Sequence, residues 1–490
     1  MATAEYGWRR WIGLIAGPAL FVIFLALPAP EGLGAEAWRT AAVGLLMTTW
    51  WITEPIPLPA TSLLPLILFP LLGAGSIEES ASPFAHPLVF LFLGGFLIAL
   101  AMERWGLHRR IALRIIRAVG TKPRRIVAGF MVSAAFISMW VSNTATTLML
   151  LPIGLSVVEL AERRGSEPEG PSGEAPADRD PNFGPALLIA IAFAASLGGL
   201  GTLIGTPPNA LTAAFLEETY GVRIGFARWL LVGLPLLLVA LPIAYVILTR
   251  VTLPIRLREL PGGRGLIESE LASLGPVSRA ERMVAAVFLL AALLWITRPL
   301  LESRIPGLTD AGIAVGAGLL LFLLPVDLRR GVFVLDWHST ERLPWGVLLL
   351  FGGGLSLAAA IDRSGLAVWI AGLFEGAGPW PLILLLAAVT IVVIAFSELA
   401  SNTATAAAFL PVVGALAVSV GRDPLLLVIP AGLAASGGFM LPVATPPNAI
   451  VYGSGRITVP QLARAGALLD LLFVFLVPIV GVLLVTRVFG

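Results

Sequence analysis

Two short polar phrases each occur twice in this chain. Ser142-Asn143-Thr144-Ala145-Thr146 returns as Ser401-Asn402-Thr403-Ala404-Thr405, and each copy is followed by a Thr-Pro-Pro-Asn, at Thr206 to Asn209 and at Thr445 to Asn448. Hydroxyls and amides donate and accept hydrogen bonds without adding net charge. That chemistry suits reversible binding better than bond breaking. A carboxylate can be held by the free N–H groups and partial positive charge at a half-helix N-terminus. Carbonyl oxygens at half-helix C-termini and in unwound stretches suit Na+. Fixed charged side chains at membrane depth are costly, and a strong salt bridge there would hold an anion too long. Each Pro-Pro pair removes backbone donors and disfavours helix in the preceding residue, so Pro207, Pro208, Pro446 and Pro447 mark breaks. Asn209 and Asn448 are placed to satisfy the backbone groups those breaks release.

Covalent chemistry finds little support. The chain has no cysteine, which excludes disulfides, thiolate nucleophiles and Cys-zinc sites. Its three histidines, His86, His108 and His338, share no metal-ligand spacing and fall near the ends of apolar runs. Gly453-Ser454-Gly455 has no histidine in the neighbouring spans, and Gly198-Gly199-x-Gly201 precedes a Pro-Pro break inside an apolar segment, where packing and unwinding explain it better than phosphate binding. A membrane enzyme is therefore disfavoured. A channel is disfavoured too, since it needs no duplicated polar hairpins.

The elements that position the phrases are transmembrane helices. Of the 490 residues 57% are hydrophobic and only 13% charged, against roughly 25% charged in soluble domains. The apolar runs are continuous rather than alternating, so helices and not barrel strands are expected. About eleven spans are expected, at 11–28, 38–53, 56–73, 84–103, 185–217, 226–252, 280–300, 309–325, 344–362, 423–450 and 465–488. Two further stretches, 126–158 and 380–420, carry a Ser-Asn-Thr phrase at the middle and read as re-entrant hairpins. The first span follows Arg9 and Arg10 and reads as a retained helix. Trp50, Trp51 and Trp337 fit interfacial anchoring.

Spacing exposes an internal repeat. Gly94 and Gly353, Asn143 and Asn402, and Pro152 and Pro411 are each 259 residues apart, and Glu103-Arg104-x-Gly106-Leu107 matches Asp362-Arg363-x-Gly365-Leu366 at the same offset. The Thr-Pro-Pro-Asn phrases are 239 apart, and the extra residues of the first half fall in 162–184, a Pro-, Gly- and acid-rich segment expected to be a flexible loop. The expected organisation is an N-terminal end and first helix (1–34), a first repeat (35–253), a linker (254–279) and a second repeat (280–490). The first repeat holds the hairpin 126–158 and broken helix 185–217. The second holds the hairpin 380–420 and broken helix 423–450. Five spans separate matching elements, which inverts the second copy, the pattern of secondary transporters.

Arginine placement sets the orientation. Segment 104–125 carries Arg104, Arg109, Arg110, Arg114, Arg117, Lys122, Arg124 and Arg125, interleaved with Leu107, Ile111, Leu113, Ile115 and Ile116. It reads as an amphipathic helix on the membrane surface. With the arginine-rich segment 250–282, it puts the N-terminus in the cytoplasm and the C-terminus outside.

Paired Ser-Asn-Thr tips with paired Thr-Pro-Pro-Asn breaks resemble the divalent anion/sodium symporter family, whose members move di- and tricarboxylates or sulfate. The resemblance covers roughly residues 35–488. It implies an elevator-type homodimer in the cell membrane, with scaffold and transport domains, Na+ as coupling ion, no other cofactor and no nucleic-acid partner. Position by position, it implies that the substrate meets Asn143, Thr144, Thr206, Asn402, Thr403, Thr445 and Pro446. One Na+ would sit among Ser138, Ser142, Asn143 and Gly205, and a second among Ser397, Ala400, Asn402 and Ala444. The family often has Ser where Thr206 stands, and the added methyl would narrow the pocket. Similar members commonly carry a Glu at the position of Glu398, which implies a structural or cation-supporting role.

Three carboxylates stand out. Glu398 breaks the repeat, since its first-half counterpart is Met139. Asp470, in the last span, is expected to be paired, and Glu54 to be interfacial. Two Asn/Thr tips suit a ligand with two anionic ends, which favours a C4-dicarboxylate carried with Na+. Exchange, or proton-coupled carriage of sulfate, citrate or tartrate, is the alternative on the same fold.

Overall fold

The computed structural model describes residues 7–120, 122–164, 180–257, 259–260, 262–372 and 380–489. Away from water, helices satisfy every backbone group locally, and the apolar runs fold accordingly. Among the described residues, nine helices are long and apolar enough to cross a membrane. Leu231, Leu238, Leu289, Leu293, Leu384 and Phe475 are exposed on such helices. In water so much bare aliphatic surface would drive association; here it faces lipid. The chain is a multi-pass helical membrane protein.

The nine helices only partly follow the expected spans. Trp8–Ala26, Phe226–Thr252, Arg279–Leu301, Trp345–Arg363 and Val459–Phe489 cover spans expected there, and Ile77–Arg104 starts earlier than 84–103. Three others, Asn143–Glu162, Leu382–Leu399 and Asn402–Ser419, lie in the two expected hairpins. Ala35–Thr53 is one continuous helix that carries Glu36 and Arg39 near its start. The span expected at 56–73 is instead two short helices, Leu58–Thr61 and Leu64–Leu72, and that at 309–325 is the 14-residue helix Asp310–Leu323. Prolines at 57, 59 and 65 account for the first difference, because a proline is most easily placed in a first turn.

At the centre runs Phe183–Gly199, buried along nearly its whole length. It packs on Pro123–Ser138, Asn143–Arg164 and Pro446–Tyr452. Its small residues allow this: a Cβ on Gly198 would lie 2.3 Å from the Ala135 carbonyl oxygen. Gly94 and Gly353, equivalent by spacing, each sit at a backbone crossing, where a Cβ would come within 2.3 Å of Ala314 and 2.2 Å of Ser62 respectively. Gly106 and Gly365 both take left-handed backbone, at φ 71° and 75°, and each precedes a helix.

Within the arginine-rich segment 104–125, Leu107–Val119 is a separate helix, while Arg104 ends the helix Pro87–Arg104 and Arg124 and Arg125 open the helix Pro123–Ser138. The apolar face of Leu107–Val119, with Leu107, Leu113 and Ile116 buried, packs on Pro123–Ser138 and on the linker helix Gly263–Ser273. Arg110 reaches inward, with Nε 2.6 Å from Glu281 Oε1 and its outer nitrogens on the carbonyls of Leu274 and Gly275. Most of the expected flexible loop 162–184 lies outside the described residues. Of its ends, Asn143–Arg164 is helical, and Asp180 accepts the N–H groups of Arg256 and Leu257. A two-stranded ribbon, Pro325–Asp327 with Val332–Phe333, completes the fold.

Candidate binding site at the hairpin tips

Each Ser-Asn-Thr phrase sits where one helix ends and the next begins. Pro123–Ser138 gives way to Asn143–Arg164, and Leu382–Leu399 to Asn402–Ser419. At the first tip Ser142 Oγ accepts the Ala145 N–H at 3.2 Å, which caps the new helix. Just inside the tips, Ser138 Oγ donates to Asn143 Oδ1 at 2.6 Å, and Ser397 Oγ donates to Asn402 Oδ1 at 2.8 Å. Ser397 Oγ also lies 2.6 Å from the Ala435 carbonyl oxygen. The two serine–asparagine bonds lie one within each half, between residues that match at the offset of 259.

The Thr-Pro-Pro-Asn phrases restart broken helices. Phe183–Gly199 resumes as Pro207–Tyr220, and Pro424–Ala434 resumes as Pro446–Tyr452. Thr206 and Thr445 precede the new helices in extended backbone, at φ −145° and −138°. Proline then fits the first turn, where its missing N–H costs nothing. Asn209 Nδ2 donates to the carbonyls of Gly199 and Thr202 at 2.9 and 2.8 Å. Asn448 Nδ2 donates to those of Phe439 and Leu441 at 3.2 and 3.1 Å. Carbonyls stripped of helical partners at the breaks are thereby satisfied.

Tips and breaks meet around one cavity of about 990 Å³. All seven residues expected to meet an anion line it: Asn143, Thr144, Thr206, Asn402, Thr403, Thr445 and Pro446. Of those expected around cations, Ser142, Gly205, Ala400 and Ala444 line it as well, whereas Ser138 and Ser397 lie one layer behind, bonded to the tip asparagines. Pro207 and Pro447 reach the wall, while Pro208, Asn209 and Asn448 are buried in the support behind it. The helices that start at Asn143, Pro207 and Asn402 all open onto this space, so three positive dipole ends converge there. The same walls offer neutral hydroxyl, amide and carbonyl oxygens, a donor set that fits a hard monovalent cation.

Several lining residues are not among those expected at the site. Arg9, Arg10, Glu54, Glu103 and Arg342 line the same cavity, from segments far apart in the chain. Glu54 is also the one described non-glycine residue with left-handed backbone, at φ 52°. Thr202 donates its hydroxyl to the Met139 carbonyl, which ties the first break to the first tip. A polar residue in a Gly-rich break was the available hint for Thr202; nothing comparable marked Arg342.

Broken helices whose uncharged polar ends meet at one cavity in a multi-pass bundle define a membrane transport protein. The chain belongs to the sodium:sulfate symporter family: it matches that family's transmembrane region over residues 8–489. It is 42% identical over 493 residues to the sodium-dependent dicarboxylate transporter SdcS of Staphylococcus saprophyticus, covering 99% of this chain and 93% of that one. Against the protein of the same name from Staphylococcus aureus it is 41% identical over 473 residues, covering 96% and 90%. Among solved structures, the fold is similar to the Neisseria gonorrhoeae protein MtrF, with a TM-score of 0.58, 12% identity and coverage of 98% and 95%. It is also similar to the Alcanivorax borkumensis YdaH transporter, with a TM-score of 0.55, 17% identity and coverage of 85% and 88%.

Proposed function

We propose that this chain is a secondary active transporter that carries C4-dicarboxylates across the cytoplasmic membrane together with Na+. The observation that carries the reading is the convergence of three helix N-termini and two asparagine-bearing tips on one cavity whose tip and break residues are uncharged. At the tips and breaks a dianion meets N–H donors and hydroxyls rather than charged side chains. The relatives named as sodium-dependent dicarboxylate transporters support the substrate and the ion.

In this reading the tip amides link the two ligands. Asn143 and Asn402 each have an oxygen beside a serine hydroxyl and an N–H2 group besides. The oxygen side serves Na+, with Ser138, Ser142 and Gly205 at one tip and Ser397, Ala400 and Ala444 at the other. The nitrogen side serves a carboxylate, with Thr144 and Thr403 beside it and Thr206, Thr445 and Pro446 closing the pocket. Two halves inverted across the membrane would place the tips on opposite sides of the substrate. Hairpins and broken helices would move together as an elevator against a fixed scaffold within a homodimer. In this reading the arginine-rich segments lie in the cytoplasm with the N-terminus, and the C-terminus lies outside.

Purified protein in liposomes tests this. Succinate or malate accumulates under an inward Na+ gradient, ahead of sulfate and citrate in a panel of anions. Uptake that ignores Na+ but needs internal dicarboxylate would replace symport by exchange. Uptake driven by a proton gradient alone would replace Na+ by H+.

A further inference from the structure

Leu107–Val119 and Pro123–Ser138 pack closely ahead of the first tip. Gly129 permits this, since a Cβ there would lie 3.1 Å from the Ile116 Cα. From Arg104 to Val158 the chain has no aspartate or glutamate. Two acids from elsewhere are already paired here, Glu270 with Arg109 and Glu281 with Arg110, each at 2.6 Å. Arg114, Arg117, Lys122 and Arg125 are exposed, and none has an ion pair or side-chain hydrogen bond among the described residues. Four cations thus flank one bend without a counter-charge.

The bend adds backbone donors. Lys122 stands at the N-cap of Pro123–Ser138 with no side-chain cap, so the N–H groups of Arg124 and Arg125 have no helical acceptor. Gly120 turns the chain at φ 113°, and the Arg125 side chain folds toward it, its Cδ 3.3 Å from where a Gly120 Cβ would be.

The neighbouring helix sets the depth. Arg124 donates to the Ile255 carbonyl at 2.8 Å, and the Tyr245 hydroxyl donates to the Arg124 carbonyl at 3.2 Å. Pro123–Ser138 therefore starts beside the end of the span Phe226–Thr252, at the edge of the hydrocarbon. Below that edge the helix shows one narrow line to the outside. After Arg125, Val132 and Phe136 are exposed, Ala128 is half-buried and every other residue of the helix is buried. Steps of seven and eleven residues put Val132 and Phe136 on the same face as Arg125. The rise from Arg125 to Phe136 is about 16 Å, half of a hydrocarbon core ~30 Å thick. A basic head above an apolar line one leaflet deep has the shape of a phospholipid with a negative head group.

We propose that this bend binds an anionic phospholipid. Arg117, Lys122, Arg125 and the free N–H groups hold its phosphodiester, and one acyl chain lies along Ala128, Val132 and Phe136. A free phosphate lacks the chain, and a zwitterionic lipid carries its own cation against the phosphate. The helix so covered ends at Ser138, whose hydroxyl holds the Asn143 amide, so the lipid bears on the arm that carries the first tip.

The chain has no cysteine, so Val132→Cys in the full chain carries a fluorophore at one place only. The labelled protein is placed in phosphatidylcholine vesicles that contain either phosphatidylglycerol or phosphatidylcholine spin-labelled on the acyl chain. Phosphatidylglycerol should quench at a mole fraction about tenfold lower, and adding Arg117→Gln, Lys122→Gln and Arg125→Gln should abolish that preference, as expected when basic residues at a membrane surface are removed. Arg329→Gln with Arg330→Gln, on an exposed turn of the two-stranded ribbon, should leave it intact. Equal quenching by the two lipids in the labelled parent overturns the proposal. So does a preference that the ribbon pair removes, which would make the attraction one of overall charge. Displacement of the quencher by inorganic phosphate at constant ionic strength would assign the bend to a free anion instead. Absence of quenching by either lipid, with energy transfer between labelled copies, would give this face to a second copy of the chain. The readout involves no transport, so its outcome is separate from that of the symport reading.

Discussion

Ser138 Oγ donates to Asn143 Oδ1 across 2.6 Å, and this bond decides what the first tip can offer. With its oxygen turned to the serine, the Asn143 amide keeps N–H2 as its remaining function on a cavity-lining residue. One planar group thus carries an acceptor on one side and two N–H donors on the other. The Ser397–Asn402 pair repeats the arrangement at 2.8 Å.

Asn143→Asp and Asn402→Asp keep the shape and the serine contact but exchange N–H2 for a negatively charged oxygen. Losing a hydrogen bond to a charged group is worth about 1.5–3 kcal/mol, so the KM for succinate should rise about 10- to 100-fold in either variant. Initial rates of Na+-driven uptake in proteoliposomes measure it. Unchanged KM in both variants would remove the asparagines from the anion site.

Asn209→Ala and Asn448→Ala test the support behind the cavity. Each deletes two buried bonds to carbonyls released by a helix break. Either change should cost about 2–4 kcal/mol of stability. The readout is the thermal unfolding midpoint, which falls in both. A midpoint equal to wild type would mean that those carbonyls have other partners.

Close helix crossings give a sharper contrast. A Cβ on Gly94 would lie 2.3 Å from backbone of Ala314, and one on Gly353 would lie 2.2 Å from backbone of Ser62. Gly94→Ala and Gly353→Ala should each destabilise by about 1–3 kcal/mol through overpacking. Gly316, in the helix Asp310–Leu323, has nothing within 4 Å of its would-be Cβ. Gly316→Ala should instead gain about 0.5–1 kcal/mol from helix propensity. Equal melting temperatures across the three variants would contradict the packing described here.

His108, on the helix Leu107–Val119, supplies a pH dependence. Burial lowers its pKa below the ordinary 6.5, partly offset by the bond from Nδ1–H to the Met102 carbonyl at 2.9 Å. The unfolded chain therefore takes up the proton first as pH falls. The contribution of His108 to stability is complete above about 6.5 and declines as pH drops toward its folded value. Melting temperature should fall on acidification through that range. His108→Asn keeps an N–H for Met102 and should flatten the slope; an unchanged slope would assign the acid sensitivity elsewhere.

Much of this was legible in the sequence because the site is built from local phrases. Ser-Asn-Thr and Thr-Pro-Pro-Asn each encode a helix end, and the offset of 259 pairs the tips. Contacts that join distant segments were not legible. Arg342 and Glu103 reach the cavity through packing of helices some 240 residues apart in sequence. Helix length is not legible where proline interrupts an apolar run, as at Leu58–Leu72, because hydropathy counts side chains and not backbone donors. The surface helix also differs in its setting. Its apolar face is covered by Pro123–Ser138 and Gly263–Ser273, a partnership that amphipathicity alone does not specify.

The central claim is that Na+ and a dianion share the tip amides, and equilibrium binding tests it most directly. Succinate affinity for the purified protein is measured by calorimetry in NaCl and in choline chloride, and Na+ affinity with and without succinate. Shared amides predict that Na+ tightens succinate and that succinate tightens Na+ by the same factor, as linkage requires. Succinate binding of equal strength in both salts would contradict the account.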